Sequence, residues 1–162
     1  MLRFLQIIFA FFACFYASFA HAGDPTITGT TINSANSELT VTFSEDVFNT
    51  TGGSGDLQAA DFALSISGSG ASIGAATPTS ISKTSQTVWV LGFSTSGVAT
   101  ASQNIAVVPV LNSIYDAAAD AAATSQSNNT VALNEKVLPI ITGITVNSAN
   151  SLLTVTFAEN VY

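Results

Sequence analysis

The chain reads as an all-β protein, an antiparallel sandwich of about seven short strands. Three observations predict this. Short segments alternate apolar and polar residues with a period of two, as in Leu39-Thr-Val41-Thr-Phe43 and Phe62-Ala-Leu64-Ser-Ile66. Ser-, Asn- and Gly-rich turn clusters separate these segments, among them Asn33–Ser37, Thr50–Gly55, Gly68–Gly70 and Ser125–Asn129. A stretch near the start of the pattern also recurs near its end.

The chain opens on an export signal. Met1-Leu2-Arg3 supplies a positive charge, Phe4 to Phe19 is an almost unbroken apolar run, and Ala20-His21-Ala22 places small residues on either side of a cut before Gly23. The run is shorter than the roughly 20 residues that span a bilayer. Residues 1–22 are therefore expected to be a signal peptide that is removed, with no membrane insertion afterwards.

Strands are then expected near 27–32, 38–44, 62–67, 73–82, 86–93, 103–110 and 130–134. Residues 87–93 are apolar on both faces, which marks a central strand or one covered on both sides, with Trp89, Leu91 and Phe93 on the core side. Pro109 cannot donate to a ladder and should sit at a strand end or edge. Ala117–Ala123 and Asp56–Asp61 have some helical propensity but are too short for a lasting helix, and both read as loop.

Residues 25–48 read PTITGTTINSANSELTVTFSEDVF, and residues 139–162 read PIITGITVNSANSLLTVTFAENVY. The offset is 114 residues, and 17 of the 24 paired positions are identical. A period this long matches a whole domain rather than a solenoid repeat. The expected organisation is a sandwich repeat over 23–137, then the start of a second repeat over 138–162 that is cut short. A hairpin alone is marginal in water, so the second copy needs either a partner or the remainder of its own repeat.

Composition excludes much chemistry. Arg3, Cys14 and His21 are each the single residue of their type, and all lie in the leader. What remains has neither His nor Cys for a nucleophile-base pair or a conventional zinc or copper site. Two lysines, Lys83 and Lys136, stand against ten carboxylates. That balance disfavours nucleic acid and anionic membranes as partners. Without cysteine, stability must come from core burial, which a domain of this size can supply.

Several segments together resemble a known family. They are Leu39–Val47, Leu57–Gly68, Pro109–Ala117 and Ser125–Asn134, and they are similar to the tandem Ig-like repeats of large secreted and surface proteins of bacteria. The resemblance covers most of residues 25–136. It implies a seven-stranded Ig-like sandwich with a spacer, adhesion or matrix role and no enzymatic activity. One departure stands out: such repeats usually carry Gly-Asn where this chain has Ala119-Asp120.

In a sandwich of this kind the loops after the second and sixth strands share one pole. That gathers Glu45, Asp46, Asp56 and Asp61 with Asp116 and Asp120, six of the ten acids. Like charges so placed either spread into solvent or hold a hard cation, and calcium accepts six to eight oxygens in flexible geometry. Glu45, Asp61 and Asp116 are the candidate calcium ligands. No Asp-x-Asp-x-Asp-Gly loop accompanies them.

The functional expectation is a non-catalytic structural or adhesive repeat module of an exported surface or extracellular protein. Its partners would be adjacent repeats of the same polypeptide, and an extracellular glycan or protein. The alternative is a calcium-dependent carbohydrate- or ligand-binding module, which would need exposed aromatics beside the acidic loops; Phe48 and Tyr115 are the candidates.

Overall fold

A computed structural model describes residues 23–161. The expected signal peptide lies outside them. Eleven strands form among the described residues: β1 (Ile27–Ile32), β2 (Glu38–Phe43), β3 (Phe62–Ser67), β4 (Ser72–Ile73), β5 (Ser80–Lys83), β6 (Val88–Gly92), β7 (Thr95–Ser96), β8 (Asn104–Pro109), β9 (Thr130–Ala132), β10 (Ile141–Val146) and β11 (Leu153–Phe157).

Two antiparallel sheets make the body. One runs β1-β2-β6-β5 and the other β3-β8-β9. With β4 and β7 set aside as a short separate ribbon, this is the A-B-E-D and C-F-G arrangement of the immunoglobulin constant-type sandwich. The expected fold is the observed one.

Alternation produces the core. In β2 the outward Glu38, Thr40 and Thr42 alternate with buried Leu39, Val41 and Phe43, and β8 buries Ile105 and Val107 in the same rhythm. Trp89, Leu91 and Phe93 are buried, and β6 lies between β2 and β5 as its two-sided apolar character predicts. The sheets meet through side chains of both, for example Phe43 against Phe62 with ring centroids 6.3 Å apart. Pro109 ends β8, opposite Phe62.

Two expectations need correction. The strand expected over 73–82 is two strands serving different partners. Ser72–Ile73 pairs with β7, whereas Ser80–Lys83 pairs with β6. Gly74 and Pro78 interrupt the ladder between them, and proline has no N–H to give. Ala59–Asp61, expected as loop, forms a single 3₁₀ turn. The Asp61 carboxylate accepts the Gln58 N–H at 2.7 Å, which satisfies a donor at the start of the turn.

Beyond the body, β10 and β11 form a hairpin that copies β1–β2 in detail. Ile144 faces Val155 as Thr30 faces Val41, and both pairs of strands shift register at the same place, after Ile27 and after Ile141. Both turns use a left-handed asparagine, Asn36 at φ 56° and Asn150 at φ 53°.

Candidate functional site

The acidic loops do share a pole. Loop 44–61 leaves β2 and loop 110–129 leaves β8, and backbone bonds join them. Phe48 and Tyr115 exchange N–H···O=C bonds of 2.8 Å in both directions, and the Val110 N–H donates to the Asp61 carbonyl at 2.8 Å. Gly53 sits so close to Ala117 that an added Cβ would lie 3.2 Å from its Cα, so the two loops pack in contact.

The three candidate calcium ligands are occupied differently within this pole. Asp116 is buried and turned onto its own loop, its Oδ1 accepting the N–H groups of Ala118 at 2.9 Å and Asp120 at 2.7 Å. The Asp116 N–H also donates to the Asp120 carbonyl at 3.0 Å. A carboxylate used in this way closes a tight loop and offsets the cost of its own burial. Asp61 caps the 3₁₀ turn, and partial burial there raises its carboxyl above the ordinary value, opposed by the bond from Gln58. Glu45 is partly buried just after β2. Among the described residues, no group of three or more Asp, Glu, His or Cys side chains is gathered to hold a metal ion.

The closing of loop 116–120 also sets the backbone at Ala119. Its φ is 75°, in the left-handed region that glycine occupies without penalty. The backbone there favours glycine, and this chain holds alanine under strain.

Sequence reasoning missed a cation at this pole. Lys83 leaves the end of β5, pairs with Asp56 at 2.6 Å and lies 5.7 Å from the centroid of the Trp89 ring. The pair is exposed and adds little stability, but it places a positive charge among the acids. No sequence signal connects residues this far apart. Phe48 and Tyr115 are both partly buried, and the Tyr115 hydroxyl donates to the Asn112 carbonyl at 2.8 Å.

The opposite pole carries two hydrogen-bonded polar clusters, neither of which was foreseen. Asn36 is buried, and its amide clasps Asn134. It donates to the Asn134 carbonyl at 2.7 Å, and its Oδ1 accepts from the Asn134 backbone at 2.9 Å and side chain at 3.0 Å. This fastens the β1–β2 turn to the chain leaving β9. Lys136 extends the fastening, its N–H donating to Ala99 and its ammonium to the Ser34 carbonyl, at 2.9 and 2.7 Å. The repeated Asn-Ser-Ala-Asn-Ser, unchanged in both copies, was the available signal.

Gln103 is the second case. It is fully buried, and its amide pairs with both backbone groups of Ala71 at 2.8 Å, as a neighbouring strand would. It ties the β4–β7 ribbon to the start of β8. A buried amide satisfied in this way is stabilising, whereas one left unpaired would be costly.

No family model matches the chain, and no curated protein does. A solved structure, the N-terminal part of the bacterial S-layer protein SbsC, is similar at 18% identity and a TM-score of 0.47, over 83% of this chain. The match spans 31% of that longer chain.

Proposed function

We propose that this chain is an exported, non-catalytic Ig-like module whose task is structural: a rigid unit repeated in tandem along a surface or extracellular protein of bacteria. The observation that carries this reading is the duplicated hairpin. A sequence that repeats its opening strands after a complete sandwich has begun to build the same unit again. The poles agree with a load-bearing role. Both are cross-bonded through the backbone and through Asn36, Asn134 and Asp116, so the points where neighbouring units would attach are stiff. Asp116, Asn36 and Asn134 at these poles are engaged in holding loops, which supports a structural use of them.

The test is expression of the whole chain with its leader in a bacterial host, followed by fractionation and mass measurement. Export with cleavage before Gly23, and a melting midpoint that neither EDTA nor millimolar calcium moves, is the expected result. An unprocessed cytosolic chain would overturn the location. A midpoint that rises with calcium would favour the calcium-dependent binding module.

A further inference from the structure

We infer that the seam between β1 and β9 is a tension-bearing joint: pulled from its two ends, the body yields only when the side-chain bonds across this seam break together. The inference rests on the tandem reading above for its purpose, since a unit strung between neighbours is pulled through its first and last strands.

Topology decides how that pull arrives. β1 starts at the acidic pole and runs to the Asn36 turn, and β9 leaves the acidic pole and ends beside the same turn. The two strands are therefore parallel neighbours, with the entering end of β1 at one pole and the leaving end of β9 at the other. Tension draws them in opposite directions, so they slide along each other. Bonds across such a seam are strained at the same time, whereas in a strand peeled from one end they break in turn.

No backbone ladder joins β1 to β9 among the described residues. Side chains span the gap instead. At the acidic pole the Ile27 N–H donates to Gln126 Oε1 at 2.7 Å, and midway the Thr30 hydroxyl donates to the Asn128 carbonyl at 2.8 Å. At the far pole the Asn36–Asn134 clasp is joined by two more bonds. Asn134 Nδ2 donates to the Asn33 carbonyl at 2.9 Å, and Lys136 Nζ donates to the Ser34 carbonyl at 2.7 Å.

The far end is where such bonds matter most. β9 pairs with β8 only from Thr130 to Ala132, while β1 pairs with β2 from Ile27 to Ile32. The leaving strand is thus the weaker anchor, and Asn134 and Lys136 pass its tension to the β1–β2 turn. Asn33, Ser34 and Asn36 recur as Asn147, Ser148 and Asn150, so the turn's side of this fastening is kept in the second copy. Thr30 becomes Ile144, so the middle bond is not.

Constant-force optical trapping of the chain from Gly23 tests this. Its one cysteine, Cys14, precedes that start, so Asp24→Cys with Val137→Cys places thiol handles at those two points alone. These handles flank the body and pull along the seam, whatever follows Val137. In a second geometry, Asp24→Cys with Ser85→Cys, both handles sit at the acidic pole, where the Val47 N–H donates to the Gln86 carbonyl, and β1 is peeled rather than slid. Asn134→Ala with Lys136→Ala should shorten the folded lifetime at least ~tenfold in the first geometry and less than ~threefold in the second, because forced unfolding follows the barrier along the pulled path. A loss of stability alone would shorten both alike. Lys136→Ala by itself alters an exposed side chain, so it reads the same ordering even where the double variant folds poorly. Equal shortening in the two geometries, or none in the first, overturns the inference and leaves the tandem reading standing. An unprocessed cytosolic chain overturns the exported location without moving these lifetimes.

Discussion

The two hairpins of this chain share most of their sequence and their internal geometry, yet their surroundings are opposite. Leu39, Val41 and Phe43 are 0%, 0% and 3% exposed, whereas Leu153, Val155 and Phe157 are 59%, 38% and 36% exposed. The pairing register, the register shift after the first strand residue and the left-handed turn asparagine are the same in both. Local sequence is enough to specify a hairpin's shape, because turn chemistry and cross-strand pairs are short-range. Burial is a property of what lies opposite. The first hairpin has β6 at its edge and the β3-β8-β9 sheet across from it, and the second has neither among the described residues.

Truncating matched positions is the sharpest way to break the comparison. Leu39→Ala should cost about 3 kcal/mol of unfolding free energy, the usual penalty for a cavity at a fully buried leucine, while Leu153→Ala should leave the body's stability within ~0.5 kcal/mol. Chemical denaturation followed by Trp89 fluorescence measures both. Similar losses from the two variants would show that the second hairpin packs on the body.

The poles give effects of intermediate size. Asp116→Ala leaves two part-buried N–H groups without their acceptor and should cost about 1–2 kcal/mol, with Asp116→Asn recovering part of that because its carbonyl still accepts. Asn36→Ala should cost about 2 kcal/mol, combining the lost clasp to Asn134 with alanine's discomfort at positive φ. Asn150→Ala should barely change the melting of the body, since the twin turn fastens nothing in it.

Smaller changes run the other way. Ala119→Gly should stabilise the body by about 0.5–1 kcal/mol, because the left-handed backbone there suits glycine. Thermal melting would show a raised midpoint, and a lowered one would contradict the strain at loop 116–120. The smallest effect concerns Asp61. Its folded carboxyl is raised above its unfolded value, so the folded state binds the proton more tightly. Its contribution to stability is therefore present at low pH and lost as pH rises through the folded pKa. Asp61→Asn keeps the acceptor for Gln58 and should remove this slope above the ordinary carboxylate range while leaving stability at neutral pH unchanged or slightly higher; stability measured across pH 3–7 checks the sign.

Much of the fold was legible in the sequence, and the reasons are specific. Leu39-Thr-Val41-Thr-Phe43 can bury its apolar side only as a strand, and its register follows from which side is apolar. The sharing of one pole by loops 44–61 and 110–129 followed from the topology alone. The chain's change of partner between Ser72–Ile73 and Ser80–Lys83 was hidden, because a polar, Ser-rich segment carries little face preference.

The candidate site was less legible. A sequence shows that Asp116 is a carboxylate in an acidic loop, but it does not show that two amides of the same loop take up its oxygen. The bond between Lys83 and Asp56, the clasp of Asn36 on Asn134 and the pairing of Gln103 with Ala71 all join residues far apart in the chain. They depend on where the sheets bring those residues, which periodicity does not encode.

Amide hydrogen exchange tests the contrast between the hairpins most directly. At a concentration low enough to keep the chain monomeric, the amides of β1–β2 that bond across the ladder should exchange only through global unfolding, and those of β10–β11 should exchange orders of magnitude faster through local opening. Equal, high protection in both hairpins under these conditions would contradict the account, because it would mean that the second copy is already buried within its own chain.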